Sequence, residues 1–169
     1  MKRGAWTDIP DERIGMIREE AEMGNQVSER SGDLFASGLC CSEGVLTAVA
    51  ENQGIDSDLV PGIATGFCGG MAYTGNMCGA VSGAIMALGM LLGRRKPEDP
   101  RDDLNDAVRK LLSGFEGKFG STNCMDLLGC DLGTPEGMEK YRNDNLRDRC
   151  REFTEEAAGM VMSLLSEIG

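Results

Sequence analysis

Seven cysteines, Cys40, Cys41, Cys68, Cys78, Cys124, Cys130 and Cys150, are the residues of this 169-residue chain whose type carries the clearest chemistry, and no histidine accompanies them. The missing histidine removes Ser-His-Asp and Cys-His nucleophile pairings, His-ligated zinc and His-ligated haem together. What is left is thiolate chemistry, which either binds a soft metal or attacks a disulfide. An odd number of thiols cannot pair completely within one chain. Residues Met1 to Arg13 lack the apolar segment of a secretory signal, so a cytoplasmic protein is expected, in which cysteines serve metals or redox chemistry rather than a disulfide framework. A free cysteine can also be a small buried hydrophobe, so position has to decide. There is no CxxC pair, which argues against a thioredoxin-type dithiol, a zinc ribbon and the bacterial ferredoxin run. Any ligands must be scattered in sequence and assembled by the fold.

The elements that would assemble them read as helices. Apolar and small residues step by threes and fours over Glu12–Phe35, and a second helix begins near Ser42, carries Val45, Leu46 and Val49, and stops near Gly54. A short helix is expected over Asp58–Ala64, then a glycine-rich turn, Gly66 to Gly70, and a loop to Asn76. Cys78 to Leu92 places Gly79, Gly83, Ala80, Ala84 and Ala87 at helical spacing, which marks a central helix that neighbours approach closely. Leu104 to Phe119 is amphipathic and closes at Gly120. Short helices follow over Asn123–Leu128 and Pro135–Tyr141, the latter with Thr134 as cap and Pro135 at its first position. The last runs from about Arg151 to Ile168. No segment alternates with period two, so the expectation is a single all-α domain over residues 1–169, a compact helical bundle around a central Gly/Ala-rich helix.

On this map Cys41, Cys78, Cys124 and Cys150 stand at four helix starts. A helix N-terminus presents unpaired N–H groups and partial positive charge, which favour thiolate over thiol. If the bundle brings those ends together, four activated sulfurs converge. Cys68, Cys130 and one of the adjacent pair Cys40 and Cys41 are further candidates or spare thiols. Gly69 and Gly70 are expected to bring backbone N–H groups against the sulfurs, with Gly79 and Gly83 supporting the central helix.

Seventeen basic against twenty-eight acidic residues give a net charge of −11, which argues against nucleic acid and anionic membrane surfaces as partners. The uncharged run Leu59–Gly93 is broken by glycines and Pro61, and its continuous apolar part, Met77–Leu92, is too short to span a bilayer. The smooth faces of the central helix suggest a second copy of the chain as a neighbour, a homodimer.

Cys41-Ser42-Glu43-Gly44-Val45-Leu46, Gly69-Gly70-Met71, Cys78-Gly79-Ala80-Val81-Ser82-Gly83 and the run Asn123 to Leu132 together resemble the prokaryotic C_GCAxxG_C_C family, named for spaced cysteines around a CGAxxG motif. The resemblance covers residues 28–168 and leaves 1–27 as an N-terminal helical extension. It implies a small helical redox-active protein whose signature cysteines fall on Cys41, Cys78, Cys124 and Cys150, with a distant likeness to the iron–sulfur part of split-Soret cytochromes and no defined substrate. The chain departs from the pattern by doubling the first cysteine and by carrying Cys68 before the double glycine. The leading expectation is an iron–sulfur or metal–thiolate site for electron transfer or redox sensing with an unidentified redox partner and no haem. The alternatives are a metal-free thiol–disulfide oxidoreductase and a module holding a structural metal such as zinc.

Overall fold

The computed structural model describes residues 11–168, and side-chain surroundings from residue 22 onward. Residues 1–10, which carry most of the segment read for a signal, and the side chains of Ile14, Ile17 and Ala21 lie outside that range. The helices in chain order are α1 (Asp11–Ala36), α2 (Cys41–Asn52), a 3₁₀ turn (Gly62–Phe67), α3 (Cys68–Met71), α4 (Gly79–Leu92), α5 (Asp102–Phe119), α6 (Cys124–Leu128), α7 (Pro135–Asn143) and α8 (Leu146–Ile168). Among the described residues there is no strand, only an antiparallel bridge between Met77 and Asn123. The fold is all-α, as the sequence implies.

α1 lies along α8, α2 packs on both, and α4 crosses between α2, α8 and α5. The core is built from one stripe of each: Val45 and Val49 of α2, Val81 and Leu88 of α4, Leu111 and Phe115 of α5, and Phe153 and Val161 of α8, all fully buried. Phe115, Phe119 and Phe153 form an edge-and-tilt cluster with centroids 4.8 to 6.0 Å apart.

The glycines of the CGAxxG motif set how closely α4 meets α2. A Cβ on Gly83 would stand 2.6 Å from the Ser42 carbonyl oxygen and 2.9 Å from its Cα, and a Cβ on Gly79 would stand 2.5 Å from the Cys41 sulfur. Neither gap admits a methyl group, so the two helices can adopt this distance only with glycine at both positions. The smooth face read from these residues is thus occupied by the chain's own α2, while a Cβ on Gly89, farther along α4, would meet nothing within 4 Å.

The caps follow the sequence. Asn123 Oδ1 accepts from the N–H groups of Met125 and Asp126 at 3.0 and 3.3 Å, Thr134 Oγ1 accepts from Gly137 N–H at 3.0 Å, and Gly120 closes α5 at φ 86°. Arg147 donates to the carbonyls of Phe35 and Ala36 and caps the C-terminus of α1. Two boundaries differ from the sequence reading. The helix expected over Asp58–Ala64 is instead the 3₁₀ turn Gly62–Phe67, displaced beyond Pro61. α8 begins at Leu146 rather than Arg151, because Leu146, Cys150 and Phe153 form an inward stripe that charged neighbours hide. No described helix is long and apolar enough to cross a membrane.

Candidate functional site

Two short extended segments hold the starts of α4 and α6 together. Cys78 N–H donates to the Thr122 carbonyl at 2.8 Å, Cys124 N–H to that of Asn76 at 2.7 Å and Met125 N–H to that of Gly75 at 3.2 Å, and the antiparallel bridge pairs Met77, two residues before α4, with Asn123, the residue before α6. Cys41, the first residue of α2, is admitted against α4 by Gly79. Cys150 points inward from the second turn of α8, four residues after its first residue, so the reading that places it before the last helix is corrected. Three of the four sulfurs, not four, sit at helix starts.

All four line one cavity of about 140 Å³, walled on the apolar side by Phe35, Leu127, Leu128 and Phe153. Cys41, Cys78 and Cys124 are buried and Cys150 is half-buried. The same cavity is bordered by Cys40, Cys68 and Gly69, whereas Cys130 stands outside the lining and is half-buried beside Lys140 and Asp144.

Burial decides the protonation of these sulfurs. Loss of water pushes the thiols of Cys78, Cys124 and Cys150 each up to about 12, with the charges of neighbouring cysteines adding to the shift. The Cys41 thiol is raised for the same reason, against hydrogen bonds from the backbone N–H groups of Gly69, Ser42 and Ala80. The N–H groups of Ala80 and Val81 act likewise on Cys78, and the Tyr141 hydroxyl on Cys150. Desolvation outweighs the helix termini, so the expected activated thiolates are neutral thiols until something replaces their protons. The donors are nonetheless aimed at sulfur.

Residues 69 to 73 form the wall on the Gly69 side as a left-handed turn, with φ of 63° at Gly69, 70° at Gly70, 61° at Met71, 53° at Ala72 and 64° at Tyr73. Glycine tolerates this conformation. Met71, Ala72 and Tyr73 adopt it against a cost of about 1–2 kcal/mol each. A Cβ on Gly70 would stand 2.6 Å from Cys124 Cβ and 2.7 Å from the Asn76 carbonyl oxygen, which places this backbone directly against the site.

Cys40 and Cys68 are joined by a disulfide with Cα atoms 5.8 Å apart, which leaves five free cysteines, so a single disulfide stands where the sequence reading expected no disulfide framework. With Glu43 they are also the one group of three candidate donors, among the described residues, whose donor atoms all lie within 4.8 Å of one another. No three of Cys41, Cys78, Cys124 and Cys150 approach that closely. Both tyrosines of the chain, Tyr73 and Tyr141, line the cavity, and the sequence reading missed them. Their scarcity was the available signal.

The model of the family described as "Putative redox-active protein (C_GCAxxG_C_C)" matches residues 39–164, the segment that contains every cysteine. An "Uncharacterized protein" of Archaeoglobus fulgidus is 30% identical over 161 residues, which span 88% of this chain and 97% of that relative. No solved structure matches the chain.

Proposed function

This chain belongs to the C_GCAxxG_C_C family of redox-active proteins, and from that premise we propose that it is an electron-transfer protein holding an iron–sulfur cluster on Cys41, Cys78, Cys124 and Cys150. The observation that carries the reading is the convergence of four thiols from α2, α8 and the starts of α4 and α6 on one apolar cavity, each with its proton held tightly by burial. Bound metal removes such protons outright and turns buried neutral thiols into charged ligands.

The spacing favours a cluster over a single ion. Zinc–sulfur bonds of about 2.3 Å put the sulfurs of a tetrahedral site about 3.8 Å apart. No three of these four sulfurs lie within 4.8 Å of one another, and the space they surround is larger than one ion needs. Such a cluster supplies one-electron transfer at low reorganisation. The chain's own residues would hold and tune it. The N–H groups of Gly69, Ser42 and Ala80 at Cys41, those of Ala80 and Val81 at Cys78, and the Tyr141 hydroxyl at Cys150 stabilise negative charge on sulfur, the lever by which proteins raise a cluster's potential. Phe35, Leu127 and Leu128 keep water away. Tyr73, half-exposed at the rim, marks the edge nearest solvent, where a redox partner would exchange electrons.

The test is anaerobic purification with iron and acid-labile sulfide analysis. Iron and sulfide in matching amounts, with visible absorption that bleaches on dithionite, support the reading. A colourless protein carrying zinc or no metal overturns it.

A further inference from the structure

We propose that the Cys40–Cys68 disulfide is a second redox centre, a two-electron one, that exchanges with an external dithiol by attack at Cys40. Ser42 carries the argument. Its side chain is fully buried, and its hydroxyl donates its one proton to the Ala64 carbonyl at 2.9 Å. The oxygen's lone pairs then face sulfur, with Cys40 Sγ at 3.2 Å and Cys68 Sγ at 3.4 Å. A disulfide has no proton to offer these acceptors, whereas a pair of thiols has two. The pocket is therefore built to satisfy the reduced form as well as the oxidised one.

The cysteines also stay together when the bond opens. Glu43 accepts from Cys40 N–H at 2.8 Å through one carboxylate oxygen and from the Thr65 hydroxyl at 2.5 Å through the other, tying the start of α2 to the 3₁₀ turn that leads into Cys68. The Ser42 to Ala64 bond makes a second tie between the same segments. Neither tie depends on the disulfide, so opening it does not release the segments from each other.

Access selects the sulfur that reacts. Both cysteines border the cavity, but Cys40 is half-buried and Cys68 is buried. One thiolate of the dithiol attacks Cys40 Sγ, the S–S bond breaks, and Cys68 leaves with the electron pair and takes a proton. The second thiol of the donor then attacks the donor sulfur of the mixed disulfide and releases Cys40, which takes the other proton. The donor becomes a disulfide, and two electrons and two protons reside on Cys40 and Cys68. Nothing in this step depends on what the other four sulfurs hold.

Thiol counting on the native full-length chain tests it, with dithiothreitol as the dithiol, maleimide labelling after denaturation and peptide mapping. Five thiols should label before treatment and seven after, with the gain at Cys40 and Cys68, an unchanged circular dichroism spectrum and a return to five on reoxidation. Oxidised glutathione should form an adduct with Cys40 in Cys68→Ser, and react with Cys68 in Cys40→Ser at least about tenfold more slowly. Ser42→Ala should raise the dithiothreitol ratio for half-reduction about fivefold, since it removes the acceptor of the reduced form. A disulfide that dithiothreitol opens only when added after denaturation, a different pair of newly labelled cysteines, equal glutathione rates or an unmoved ratio in Ser42→Ala would each overturn the proposal. The wild-type mapping stands even if a variant fails to fold.

Discussion

Phe153 divides α8 between two regions of opposite construction. Toward one side it packs on Phe115 and Phe119, where large rings fill the space between α5 and α8 with centroids as close as 4.8 Å. Toward the other it walls the cavity of about 140 Å³ around Cys41, Cys78, Cys124 and Cys150. The same helix thus serves a core packed with side chains and a cavity lined by them. Interiors close up wherever side chains permit, and a void lined by apolar groups costs stability roughly in proportion to its volume. A fold that fills one end with phenylalanine and leaves four sulfurs around a space at the other has room for something the chain does not supply.

The contrast breaks most completely at its boundary. Phe153→Ala removes a ring shared by both regions and should cost about 3–5 kcal/mol in urea unfolding, with loss of bound metal under the same conditions. Gly70→Val should come next. Its side chain would meet Cys124 Cβ and the Asn76 backbone at a φ of 70°, so the cost of about 3 kcal/mol falls on stability as well as on the site. Two glycines of α4 sharpen the difference. Gly79→Ala drives a methyl against the Cys41 sulfur and should lower both metal content and the unfolding midpoint, by about 1–3 kcal/mol. Gly89→Ala, with open space around it, should leave metal content unchanged and stabilise the helix by up to about 1 kcal/mol.

pH separates the two regions in the metal-free protein. Cys78, Cys124 and Cys150 keep their protons in the fold up to about 12, while the unfolded chain loses them near its ordinary thiol range. The folded state then binds more protons than the unfolded one, so stability holds below about pH 9 and falls as pH rises from there toward about 12. Urea midpoints across that range should decline in the metal-free wild type, and less steeply in Cys124→Ala. The smallest effect belongs to Tyr141→Phe. It removes one hydrogen bond to the Cys150 sulfur, about 1 kcal/mol, and should shift the reduction potential of the loaded protein downward without altering the fold.

Much of this was legible where one residue type has one physical use. Asn123, Thr134 with Pro135, and Gly120 announce helix ends, and the spacing of Gly79 and Gly83 announces a close helix contact that the structure places on Ser42 and Cys41. Legibility failed where local chemistry points away from the structure. Met71, Ala72 and Tyr73 disfavour the left-handed turn that they adopt, so no propensity foretells it. The start of α8 was obscured because Arg147, Asp148 and Arg149 separate Leu146 from the next inward residue, Cys150. The disulfide was missed because Cys40 and Cys68 are 28 residues apart and only the meeting of α2 with the 3₁₀ turn brings them together. Helix starts drew attention to Cys41, Cys78 and Cys124, which the structure brings to one cavity, yet the thiolate inferred from them gives way to burial, whose strength depends on tertiary packing.

The central claim, that four of the six cysteines lining the cavity would hold the metal, is tested most directly by iron and sulfide content across single Cys→Ser variants at all seven positions, purified anaerobically and checked for helix content. Substitution of Cys41, Cys78, Cys124 or Cys150 should abolish or sharply reduce cluster content. Substitution of Cys40, Cys68 or Cys130 should leave it near the wild-type level. Uniform content across all seven variants, or loss confined to Cys40 and Cys68, would contradict the account.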